Sequence, residues 1–180
     1  MKKLLIVLVL LLVIGIVAFA EEDKFTVDAG AGLYYDAYPL SGTAFDFLII
    51  LFGLRGGVFG DLNFMLSDGM SVGIEAGVAY MTVTSGVEPD TVSSSLFDIP
   101  LYATFRYSFG GVAVQPYAGM LFTGAASDAG GEFVSNVAAG ARILLGSVFA
   151  EAAYVIGLGP GAVSFPRFGL GAQFNNLVSF

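Results

Sequence analysis

Phe97-Asp-Ile-Pro-Leu-Tyr-Ala-Thr-Phe-Arg-Tyr-Ser-Phe109, followed by Gly110-Gly111-Val112, decides the fold. Phe97, Ile99, Leu101, Phe105 and Tyr107 fall on odd positions, and Asp98, Thr104 and Arg106 on even ones. Successive side chains of a strand point to opposite faces, so this stretch is a strand with one greasy face and one polar face. Gly110-Gly111 is a two-residue hairpin signal. It makes Phe109 and Val112 neighbours and sets Arg106 opposite Gln115, both on the polar face.

Working outward, the same alternation recurs in seven more segments. Over residues 25–35, Phe25, Val27, Ala29, Ala31, Leu33 and Tyr35 form the apolar set, with Asp28, Gly30 and Gly32 opposite. Residues 53–66 put Leu54, Val58, Leu62 and Phe64 on one face and Arg55, Asp61 and Asn63 on the other. Ser67-Asp68-Gly69 turns the chain into residues 70–84, where Val72, Ile74, Val78 and Tyr80 alternate with Gly73, Glu75 and Gly77. A polar loop is expected at 85–95. The fifth segment runs to about Phe122, and 123–132 reads as a second loop. The sixth, 133–145, carries Val137, Ile143 and Leu145 against Asn136, Gly140 and Arg142. Gly146-Ser147 leads into the seventh, with Val148, Tyr154 and Ile156 against Phe149 and Glu151. That turn sets Arg142 opposite Glu151. After 157–164 the eighth shows Phe168, Leu170 and Phe174 against Arg167 and Gln173. Tight turns follow even segments and loops of about ten residues follow odd ones, the arrangement of an outer-membrane barrel. Residues 37–52 are too apolar for an ordinary loop and are assigned either to an extension of the second strand or to the interface.

Charge is segregated by face. Asp28, Asp36, Arg55, Asp61, Glu75, Asp98, Arg106, Arg142, Glu151 and Arg167 all have inward parity. A basic side chain facing the bilayer midplane costs about 2–4 kcal/mol, so inward parity is the affordable one. Arginines sit on strands two, four, six and eight, with Glu75 and Glu151 on strands between them. Arg55, Asp61, Glu75, Arg106, Arg142, Glu151 and Arg167 therefore read as a lumenal ion-pair network. Strand-end aromatics (Tyr34, Tyr35, Tyr80, Tyr107, Phe109, Phe174) read as interfacial girdles.

The fold class that follows is all-β, an eight-stranded antiparallel up-and-down transmembrane barrel. Lys2-Lys3, the apolar run 4–17 and Ala18-Phe19-Ala20 before Glu21-Glu22-Asp23 match a cleavable signal peptide. Residues 1–20 are thus expected to be removed and 21–180 to form the barrel domain. Hydrophobic residues make up 56% of the chain, above the roughly half usual in soluble domains. The longest uncharged apolar run beyond the signal, 47–54, is eight residues, far short of the roughly 20 of a membrane helix. Only helices and closed barrels satisfy every backbone group in lipid, which leaves the barrel.

Composition also bounds chemistry. Without Lys2 and Lys3 the chain has five basic against fifteen acidic residues, a net of −10. That disfavours nucleic acid, which needs a basic footprint. The chain has no cysteine and no histidine, which removes thiolate sites, the commonest metal ligand and a Ser-His-Asp triad. No cofactor is expected. Asp61 and Glu75 are the one carboxylate pair placed for acid/base work, and structural charges in the lumen are the simpler reading.

Residues 98–109, Gln115-Pro-Tyr-Ala-Gly119 and Arg167-Phe-Gly-Leu-Gly-Ala-Gln-Phe174 resemble the small bacterial outer-membrane β-barrel proteins, the eight-stranded group of OmpX-like and OmpA-transmembrane-like barrels. The final Phe180 resembles the terminal aromatic by which that family's last strand is recognised. Asn175-Asn176 interrupts the alternation before it, which leaves Phe174 and Phe180 as alternatives for that role. The resemblance implies an outer-membrane bilayer as the surroundings and assembly by the barrel-assembly machinery through the C-terminal strand (Phe174, Phe180).

Three functional classes are then open. The expected one is a monomeric, non-enzymatic scaffold whose lumen is filled by side chains, since eight strands leave an interior just wide enough for that. A narrow pore or small-ligand carrier is the alternative. Small inward residues (Gly73, Gly77, Ala138, Gly140, Ala153, Gly169, Gly171) would leave a water path that Arg106, Arg142 and Arg167 bias towards anions. An adhesin is third, since the loops are short and poor in aromatics.

Overall fold

The alternating segments pair with their sequence neighbours all the way round. In the computed structural model, which describes residues 25–37, 53–85, 92–127, 130–159 and 162–179, the strands are β1 (Phe25–Asp36), β2 (Leu54–Ser67), β3 (Met70–Ser85), β4 (Val92–Phe109), β5 (Val112–Ser127), β6 (Gly130–Leu145), β7 (Val148–Gly157) and β8 (Phe165–Ser179). They close into one barrel in chain order, with β1 antiparallel to β8. Closure removes both sheet edges. The expected signal peptide, residues 38–52 and Phe180 lie outside the described residues.

Turn chemistry fixes the register. Phe109 pairs Val112 and Leu145 pairs Val148, leaving two-residue turns at Gly110-Gly111 and Gly146-Ser147. Gly110 and Gly146 have φ of 61° and 62°, a left-handed value at the first turn residue, which a II′ hairpin gives to glycine. Because side chains repeat every two residues, fixing these registers fixes which residues face the lumen.

The strands run further than the apolar alternation does. Residues 123–132, expected as a loop, continue the β5–β6 ladder as far as Ser127 opposite Gly130. Likewise Ser85 pairs Val92, so only 86–91 separate β3 from β4 where 85–95 were expected. Alternation reports apolar surroundings on one face, whereas backbone pairing continues wherever two chains remain side by side. Loops of about ten residues after odd strands are thus corrected for these two connections.

Asn175-Asn176 has a structural explanation. Ala29 pairs Phe174 while Val27 pairs Val178, so β8 carries two extra residues opposite Asp28. Two extra residues preserve the facing of the strand, and Phe174 and Val178 both point outward and are exposed. Asn176 takes φ of 55°, a conformation that asparagine tolerates better than most residues, and its N–H donates to Asp28 Oδ1 at 2.7 Å.

The outer face is apolar and exposed: Leu33, Val58, Tyr80, Leu101, Ile143, Tyr154 and Leu170 are among its large side chains. Phe25 departs from its expected place among them. It is 3% exposed and packs on Phe64 with ring centroids 5.1 Å apart.

Candidate functional site

All ten ionisable residues assigned inward are buried. They form three groups joined across the barrel. Near the end opposite the tight turns, Asp36 (β1), Arg55 (β2), Asp98 (β4) and Arg167 (β8) make a quartet. Arg167 Nε and Nη2 donate to Asp36 Oδ1 and Oδ2 at 2.5 and 2.9 Å, and Nη2 also reaches Asp98 Oδ2 at 2.5 Å. Arg55 Nη1 donates to Asp36 and, at 3.1 Å, to Asp98 Oδ2.

The second group centres on Arg142. Its fork takes Glu75 at 2.7 and 3.2 Å and Glu151 at 2.8 and 3.1 Å, with Gln173 Oε1 at 3.3 Å. Phe59 and Phe149 present their ring faces to the guanidinium at 4.3 and 4.6 Å. Arginine suits this place because its planar fork satisfies two carboxylates while its faces stack on rings. Arg142 opposite Glu151 is the β6–β7 register read from Gly146-Ser147. Glu75 differs from expectation. It lies on the strand between the arginines of β2 and β4, but its arginine partner is across the lumen on β6.

The third group lies towards the tight turns. Arg106 Nη1 donates to Asp28 Oδ2 at 2.5 Å and Asn175 Oδ1 at 3.2 Å, and its Nε and Nη2 share Gln115 Oε1. Asp61 accepts from Gln115 Nε2 at 2.7 Å and Thr104 at 3.2 Å, with Arg106 at 3.5 Å. Asp61 and Glu75 are cross-strand partners, each turned to a different arginine. The sequence had Asp28, Asp36 and Asp98 on the inward face without drawing them into the network; their parity was the signal.

Between the charges lie large apolar and aromatic groups at inward positions that sequence reasoning did not single out, Phe149 apart. Phe59, Leu144 and Phe149 form one cluster with Ala113; Tyr102, Tyr117, Leu121, Ala138, Val155 and Phe165 form another. Their signal is cross-strand. Phe59 is flanked by Gly30 and Gly77, Phe149 by Gly171, Tyr102 by Gly119 and Tyr117 by Gly140. A Cβ on Gly30 would overlap Phe59 Cζ, and one on Gly171 would sit 2.6 Å from Phe149 Cζ. Of the small inward residues expected to leave a water path, Gly77, Gly169 and Gly171 lie against Phe59, Tyr34 and Phe149, the small-beside-large filling of a narrow barrel.

Tyr34 follows the same rule and corrects its place in a girdle. On β1 even positions face inward, and Tyr34 lies over its partner Gly169. Tyr80, Tyr107, Phe109 and Phe174 are on the outside. Six carboxylates and four arginines give the described lumen a formal net of −2, and each arginine is ion-paired. A cavity of about 20 Å³ beside Tyr34, Glu75, Asp98 and Arg142 has room for about one water. A larger one, about 160 Å³, opens at the turn end beside Thr26, Ser71, Arg106, Ser108 and Asn175.

Among solved structures the chain is similar to Ail, the attachment invasion locus protein of Yersinia pestis, crystallised with the heparin analogue sucrose octasulfate. The TM-score is 0.55 at 13% identity, over 86% of this chain and 100% of Ail. This chain has the fold of a small eight-stranded outer-membrane barrel. Neisserial surface protein A gives a TM-score of 0.49 at 13% identity, over 88% of this chain and 100% of that one. No protein-family model and no curated protein matches the sequence.

Proposed function

We propose that this chain is exported through residues 1–20, inserted into the outer membrane of a diderm bacterium, and serves there as a monomeric, non-enzymatic structural and surface scaffold. The filled lumen carries this reading. Where a pore would need water, four arginines are bound to carboxylates and much of the volume between them is taken by Phe59, Phe149, Tyr102, Tyr117 and Leu121. The apolar outer face supports membrane insertion, because exposing that many large aliphatic side chains to water would drive association. Assembly through the C-terminal strand, with Phe174 and Phe180, belongs to the same proposal.

Catalysis is disfavoured by chemistry. Asp61 and Glu75, the carboxylates best placed for proton transfer, are committed to Arg106 and Arg142, and the chain has no histidine. Carrying over the polyanion bound by Ail is disfavoured by charge, the mature chain being −10. A narrow pore draws on one observation, the turn-end cavity of about 160 Å³. Arg106, which lines it, is held by Asp28 and Gln115.

Single-channel recording of the refolded mature chain in a planar bilayer tests the choice, with a heat-modifiable gel shift to certify the folded barrel. A folded and silent barrel is expected. Reproducible conductance steps would replace the scaffold by the pore.

A further inference from the structure

Pro100 and Pro116 each interrupt a ladder of the barrel wall. Pairing of β3 with β4 runs to Ala76–Leu101 and resumes at Ala79–Asp98, passing over Gly77 opposite Pro100 and Val78 opposite Ile99. Pairing of β4 with β5 passes over Phe105 opposite Pro116 and Arg106 opposite Gln115 in the same way. Proline has no N–H to give to a ladder. At the first interruption the stranded acceptor can be named. Along a strand, successive carbonyls are directed at opposite neighbours. A Cβ on Gly57 of β2 would meet Val78 O at 2.9 Å, so Val78 C=O is directed at β2. Gly77 C=O is therefore directed at β4, where Pro100 offers no donor.

A second acceptor lies at the same place. Asp98 is fully buried, and its Oδ2 takes Arg55 and Arg167. Its Oδ1 has no hydrogen-bond partner among the described residues. The cavity of about 20 Å³ is lined by Val78 and Ala79 on one side of the interruption and by Asp98 and Pro100 on the other. A water needs about 10–15 Å³, so the space suits one.

We propose that one water is built into the wall here, donating one O–H to Gly77 C=O and the other to Asp98 Oδ1. Water brings two donors to two acceptors that lack them. A cation is disfavoured, because Arg167 already sits on Asp98 and Arg142 lines the same cavity. An apolar filling would leave a carboxylate oxygen and a backbone carbonyl unpaired away from solvent, which is costly. The water thus completes the ladder that Pro100 breaks, in a wall where lipid offers no hydrogen bond to a stranded carbonyl. It also ties β3 to the quartet of Asp36, Arg55, Asp98 and Arg167. The inference concerns the wall and holds whether or not the lumen conducts.

The test pairs a crystal structure of the refolded mature chain, with ordered waters resolved, with the structure of Pro100→Ala. In the wild type a water is expected within about 3.2 Å of both Gly77 O and Asp98 Oδ1. In Pro100→Ala the new N–H should bond Gly77 O directly, and the water should leave that carbonyl. In micelles, a long-lived water should give a nuclear Overhauser effect to the Gly77 and Ala79 protons that is lost in the variant. A gel shift certifies that each chain is folded. If Pro100→Ala does not fold, Ala79→Ser takes its place: it sets a hydroxyl on the cross-strand neighbour of Asp98 and should displace the water from Oδ1. An empty wild-type cavity, an ion in it, or a protein donor on Asp98 Oδ1 overturns the proposal. So does a variant that keeps the water on both acceptors.

Discussion

Arg142 shows what a single buried charge demands. It sits 1% exposed with two glutamates, one glutamine and two ring faces around it. Taking a guanidinium out of water costs several kcal/mol, and only a complete set of partners offsets this. Arg142→Met leaves Glu75 and Glu151 facing one another without a counter-charge and should cost about 3–5 kcal/mol. Glu151→Gln should cost less, because Glu75 still holds the fork. Arg142→Met combined with Glu75→Gln and Glu151→Gln should recover most of the loss. Urea unfolding in vesicles, followed by gel shift, measures all three; a triple variant as unstable as Arg142→Met would argue against the contacts. The sequence made half of this group legible. Arg142 facing Glu151 follows from a two-residue turn and a count along two strands. Glu75 comes from the opposite wall, and a partner across a lumen depends on barrel width and stagger, which no local pattern encodes.

At the scale of the strand, alternation told faces apart better than it told lengths. Every charge assigned inward is inside, and Tyr34 is inside because its even position on β1 requires it, although its chemistry suited a girdle. Strand ends were missed where the outer face stops being apolar, as on β5 and β6 beyond Phe122 and Phe133. Inward positions also differ in kind. Ala138 is 0% exposed within the Tyr102–Tyr117 cluster, so lysine there meets a packed interior and is not a mild substitution. The informative series runs along the outer face instead. Ala139 is exposed midway along the outer face of β6, and Ser147 is in the turn that ends the strand. If that face lies in lipid, Ala139→Lys should cost about 2–4 kcal/mol and Ser147→Lys about 0–1 kcal/mol. Unfolding midpoints in the same vesicles decide it, and similar costs at the two sites would mean that the outer face does not cross a bilayer.

For the whole molecule, closure is the property that no segment contains. Each arginine reaches strands that are not its neighbours: Arg106 on β4 to Asp28 on β1, Arg142 on β6 to Glu75 on β3, Arg167 on β8 to Asp98 on β4. These chords form only when the cylinder has closed, so the network and the β1–β8 seam should form together. The termini of the described barrel are also neighbours, Thr26 lying opposite Ser179. Joining the ends with a short flexible linker and opening the chain at Gly110-Gly111 should therefore rebuild the same cylinder, since exposed tight turns are where permutation is tolerated. The permutant is expected to refold in vitro with the wild-type gel shift, because every ladder and every chord is retained. In cells it should fail to reach the membrane. Its last strand would then be β4, ending at Phe109 instead of the strand that carries Phe174 and Phe180. Folding in vitro with loss of assembly in cells separates the physics of closure from recognition of the terminal strand. Normal assembly of the permutant would remove the C-terminal strand from that role, and failure to refold in vitro would show that the covalent Gly110-Gly111 hairpin is needed for closure.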